Sequence, residues 1–150
     1  MNHTPKKHWM GCAVASAAVL SGRSYDEVFA HWPELDVAET RSSRELRALL
    51  EAVTDHEWYL EPCWEKPELL NFVPPDRPVA VWIQDTVRDA EFGHWIVIHG
   101  DVIYDSGEPS ECRTSEYPRR NWVVTEIAQD VPPKELIRLR DRKRAQKTAE

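Results

Sequence analysis

The chain has 150 residues, 41% hydrophobic and 30% charged, which fits one globular domain able to bury roughly two thirds of its unfolded surface. Its net charge of −7 is uneven: Lys134 to Glu150 holds seven basic residues against three acidic ones, so a +4 tail follows a −11 body that repels nucleic acid phosphates. No apolar run approaches the about 20 residues of a membrane span, no signal-peptide order opens the chain, and three cysteines without a CxxC pair exclude a disulfide framework or zinc knuckle.

These bounds predict a cytoplasmic protein with reduced thiols. The expected organisation is a body over 1–132 and a basic helix or tail over 133–150. Residues 1–10 carry His3, Lys6, His8 and Trp9 without periodicity and read as a lead-in. The small-residue run Cys12 to Leu20 then predicts a central helix packed on a sheet, stopped by Ser21 and Gly22. Cys12 heads this helix, where the positive end of the macrodipole favours a thiolate, and is the candidate nucleophile.

Ser24 and Glu27 form a capping box for a short helix to about His31, which Pro33 breaks. A second box, Ser42 with Glu45, opens a helix whose Leu46, Leu49, Leu50 and Val53 share one face. His56 to Leu60 reads as a strand, and Pro67 to Phe72 as a short helix with proline at its first position. Val79 to Ile83 is a buried strand of β-branched and aromatic residues. Gly93 to Asp105 follows as a hairpin, then a Gly, Pro and Ser loop to Arg120 and a last strand over Asn121 to Ile127.

The hairpin brings a base and an acid together. A turn at His99 and Gly100 sets His94 directly opposite Asp105, whereas a turn at Gly100 and Asp101 makes them diagonal neighbours on one face. Either register holds their Cβ atoms within about 5 to 8 Å, while a three-residue loop puts them on opposite faces. An Asp bonded to one ring nitrogen orients the imidazole and leaves the other nitrogen to take a proton from a thiol. Cys12, His94 and Asp105 thus have the residue types of a catalytic triad.

The nucleophile heading a small-residue helix, SGRSYDEV after it, and GHWIVI with VIYDSGEP far downstream resemble the papain-like cysteine peptidases. The likeness is strongest to the small bacterial and phage relatives of bacteriocin-processing double-glycine peptidases. It covers Gly11 to Val28 and Gly93 to Pro109 and keeps the order Cys, His, Asp. The resemblance implies an α+β papain-like fold, with an N-terminal central helix on an antiparallel sheet built from Val79 to Ile83, His94 to Ile98, Val102 to Asp105 and Trp122 to Ile127. It also implies a thiol hydrolase that cleaves a peptide or isopeptide bond, with Cys12 attacking, His94 as general base and acid, Asp105 orienting it, and no cofactor or metal. Family members usually carry a glutamine before the cysteine to donate to the oxyanion; this chain has Lys6 there, and Ala13 where glycine often follows the nucleophile.

Lys6 therefore stands either as a substitute oxyanion donor or as the mark of a silent protein. Three functions follow from the same residues: hydrolysis of a protein or peptide substrate, acyl transfer to an amine as in transglutaminase-like enzymes, or a catalytically inactive papain-fold module that binds a partner. Trp9 and Trp95 flank the nucleophile and base and are candidate walls of a substrate cleft, against the alternative of core packing. Cys63 and Cys112 head no helix and read as structural, and the six histidines show no ligand spacing for a metal. The basic tail reads as a solvated face, with nucleic acid or an acidic partner as its other use.

Overall fold

A computed structural model describes residues 1–7, 11–31, 43–85, 93–131 and 145–146. Among the described residues three named helices and a six-stranded antiparallel sheet make an α+β fold. The helices are α1 (Cys12–Ser21), α2 (Tyr25–Phe29) and α3 (Ser43–Thr54). The strands are β1 (Tyr59–Pro62), β2 (Val79–Gln84), β3 (Gly93–His99), β4 (Val102–Tyr104), β5 (Cys112–Arg113) and β6 (Val123–Gln129), in the spatial order β1-β6-β2-β3-β4-β5. Among the described residues no helix is long and apolar enough to cross a membrane.

Helix α1 is buried from Cys12 through Val19, on every side of the cylinder rather than along one stripe. A helix can sit so deep only if it is apolar all round and its neighbours approach closely, which four alanines allow. Gly22 ends it in the left-handed region at φ 74°, its N–H donating to the Ala18 carbonyl at 3.0 Å. Ser24 caps α2 by accepting from the Glu27 N–H at 3.1 Å, but the return bond differs from the expected box. The Glu27 carboxylate accepts from the Ser24 hydroxyl at 3.2 Å instead of from a main-chain N–H. Helix α3 buries Leu46, Leu49, Leu50 and Val53 against α1, as its periodicity predicts, while Ser42 lies outside the described residues.

The sheet carries a core on each face. Trp95, Ala80 and Ala128 pack against the helices, and Val81, Ile83, Ile96 and Ile98 pack on the other face with Leu69 and Tyr117. Strand β3 pairs with β4 as Val97 to Tyr104, Ile98 to Ile103 and His99 to Val102, so the turn is Gly100–Asp101. Gly100 sits at φ 62° and Asp101 does not share that region, the pattern of a type II′ turn with glycine first.

Four expectations need correction. The strand expected over His56 to Leu60 is β1, displaced toward the C-terminus, and it joins the sheet at its edge beside β6. The expected helix at Pro67 to Phe72 is only a 3₁₀ turn at Leu69–Asn71, because this segment gives its main-chain groups to the chain ahead of β6. Leu69 and Leu70 N–H donate to the Trp122 and Arg120 carbonyls, both at 2.8 Å, and Pro67 accepts from Val124 N–H at 2.8 Å. The loop expected from the hairpin to Arg120 contains β5, which extends the sheet beyond β4. The last strand runs two residues further than its expected end, to Gln129. All but two residues of the basic tail lie outside the described ones.

Candidate active site

Cys12 follows Gly11 at the first turn of α1, 7% exposed, with no side chain capping the helix. Burial is the main influence on its thiol and pushes the pKa up. The Trp95 and Ala13 main-chain groups and the Lys6 charge act in the opposite sense, by hydrogen bonding and attraction to the sulfur, and do not overcome it. Cys12 is thus a neutral thiol at rest: the helix N-terminus helps the thiolate, as expected, but desolvation outweighs it.

The bond to Trp95 locates Cys12 in the sheet. Strand β4 ends at Tyr104, opposite Val97, so β3 has no strand partner on that side at Trp95. The sulfur meets the Trp95 main chain, one residue from His94. By alternation Trp95 points toward α1 and His94 to the other face. Cys12 and His94 therefore come to the start of β3 from its two sides.

His94 and Asp105 meet as the Gly100–Asp101 register requires. His94 Nε2 lies 3.1 Å from Asp105 Oδ2, with the Asp105 side chain 1% exposed and that of His94 19%. The approach is bent away from the ring N–H direction, so Nε2 lacks a well-aligned hydrogen bond. Burial alone opposes ionisation of Asp105, yet His94, the Tyr117 hydroxyl and the Gly107 N–H together hold its carboxyl well below the usual carboxylate range.

One acid is held at both oxygens. Oδ1 accepts the Gly107 N–H at 2.8 Å, an Asx turn that fixes the start of the loop. Oδ2 accepts the Tyr117 hydroxyl and Arg119 Nη1, the latter at 3.1 Å. Burial and the Asp105 charge drive the Tyr117 pKa far up, so its hydroxyl stays a donor. Arg119 also reaches Glu108 at 3.3 Å and lies over the Trp122 ring at 5.4 Å, while the other neighbour of that ring is His94, at 6.1 Å between centroids. Tyr117, Arg119 and Trp122 escape a sequence reading because they come from irregular chain, where no period links them to Asp105.

The N-terminal arm also reaches the site. His3 Nε2 donates to the Asp105 carbonyl at 2.8 Å, and the Lys6 N–H to the Ser106 carbonyl at 3.4 Å. Lys7 pairs with Asp26 of α2 at 2.8 Å. The half-buried Lys6 is thereby kept where its charge is felt by the Cys12 sulfur. Trp95 is no cleft wall: it is 1% exposed and meets Trp82 edge-on at 5.6 Å inside the core. Trp9 lies outside the described residues. Cys63 and Cys112 are free, half-buried and packed at the rim of the second core. Among the described residues no group of three or more His, Cys, Asp or Glu is placed to hold a metal ion.

No protein-family model matches the chain, and no curated protein matches it.

Proposed function

We propose that the chain is a thiol-dependent hydrolase of papain-like architecture that cleaves a peptide or isopeptide bond through an acyl-enzyme on Cys12. The observation that carries this reading is the His94 and Asp105 pair, 3.1 Å apart on a buried carboxylate, beside the strand residue whose main chain meets the Cys12 sulfur. With Nε2 turned to Asp105, Nδ1 is the nitrogen left to act as base. It takes the Cys12 proton as the sulfur attacks the carbonyl carbon, so the neutral resting thiol becomes a thiolate only in the reacting complex. The Cys12 N–H and the Lys6 ammonium receive the oxyanion. The imidazolium then gives its proton to the leaving amine; the neutral imidazole so formed takes a proton from the water that attacks the thioester and returns it to the sulfur as the C–S bond breaks and the carboxylic acid leaves, restoring thiol and imidazole.

The burial of Cys12 favours a second reading, in which the same fold is a silent module that binds a peptide or protein. A fluorogenic peptide library separates the two. The hydrolase reading expects turnover in the wild type, a loss of roughly 100- to 10,000-fold in His94→Ala and no turnover in Cys12→Ala. Binding without turnover in any of the three supports the silent module. A primary amine added as acceptor distinguishes hydrolysis from acyl transfer by the product formed.

A further inference from the structure

Three donors converge on a single oxygen of Asp105. Oδ2 is met by the Tyr117 hydroxyl, by Arg119 Nη1 at 3.1 Å and by His94 Nε2 at 3.1 Å, while Gly107 occupies Oδ1. A carboxylate offers about two acceptor directions per oxygen, so Oδ2 holds one donor more than it can align. His94 is the one left badly aligned. Neither competitor is free to yield: Tyr117 is fully buried, and Arg119 is tied to Glu108 and stacked on Trp122.

We infer that Tyr117 and Arg119 are positioning residues that hold the Asp105 carboxylate in place and compete with His94 for Oδ2. The inference rests on the reading of Cys12, His94 and Asp105 as one reacting set. An oxygen already saturated by a hydroxyl and a guanidinium has less charge to offer an imidazolium. Each element around the ring contributes to this balance: Asp105 from the end of β4, Arg119 and Tyr117 after β5, and Glu108 behind Arg119. Cys12 and Lys6 act on the sulfur side, the Trp122 ring lies beside the imidazole, and His3 bonds only the Asp105 carbonyl.

The test is an NMR titration of the His94 imidazole in the full chain, its resonance assigned by its loss in His94→Ala. Tyr117→Phe removes one competitor and keeps the ring, and Arg119→Gln removes the charge and keeps a donor. Each is expected to raise the His94 titration midpoint by roughly half to one pH unit. A midpoint that stays put or falls in a folded variant overturns the inference. If Tyr117→Phe does not fold, Arg119→Gln decides, because the Arg119 side chain is one-third exposed and tolerates change. Acylation of Cys12 by p-nitrophenyl acetate, followed in the same samples, tests the underlying reading separately. A raised midpoint alongside acylation that ignores His94→Ala upholds the competition at Oδ2 and removes the catalytic set.

Discussion

Asp105 does two jobs with two oxygens, a turn-former at Oδ1 and the anchor of His94 at Oδ2. The residues on either side of it in sequence reveal the first, because Asp before Ser106 and Gly107 is a turn signature. The second was legible through the hairpin, since a two-residue turn leaves only registers that put His94 and Asp105 on one face. Tyr117 and Arg119 were not legible, for their contact depends on how irregular chain after β5 folds back. Nor did the residue pattern show the depth of Cys12, where desolvation reverses the sign expected from a helix N-terminus. Asp105→Ala leaves Arg119 and Tyr117 without their acceptor and is expected to cost about 3–5 kcal/mol. Denaturant unfolding measures this, and Asp105→Asn, which keeps an acceptor oxygen, is expected to lose less.

At the scale of elements, periodic segments were read correctly and segments fixed by partners were not. Helix α3 announces itself through Leu46, Leu49, Leu50 and Val53, and β2 and β3 through their apolar runs. The 3₁₀ turn at Leu69–Asn71 and strand β5 are instead imposed by main-chain bonds to distant chain, so local composition misleads. The start of β3 shows how tightly an element positions the site. A Cβ at Gly93 would lie 2.6 Å from the Ile83 carbonyl oxygen and 2.7 Å from the Trp82 ring, closer than such contacts normally come. Gly93→Ala is therefore expected to lose about 1–3 kcal/mol and to displace His94 from Asp105. Thermal unfolding and the His94 resonance report the two effects.

For the whole molecule, the two cores on either face of the sheet meet at the site: Cys12 belongs to the helix-side core and Tyr117 to the other. Chemistry and stability are therefore linked through pH. Because the folded-state pKa of Asp105 is depressed, its contribution is complete well above the unfolded value near about 3.9 and is lost progressively as pH falls from about 5 toward the folded value. Cys12 is shifted the other way, so its contribution is complete below about pH 8.5 and declines as pH rises beyond it. Unfolding free energy measured across pH should fall on both sides, with the acid limb shallower in Asp105→Asn than in the wild type.

The central claim is that His94 activates Cys12, and the most direct measurement is the rate of Cys12 acylation by p-nitrophenyl acetate against pH, in the wild type and in His94→Ala, with the acylated residue located by mass spectrometry. Proton transfer from Cys12 to His94 predicts that His94→Ala slows acylation near pH 7 by roughly 100- to 10,000-fold and leaves a rate that climbs only as the buried thiol ionises. Equal rates in the two proteins at pH 7, or acylation confined to Cys63 and Cys112, would contradict it.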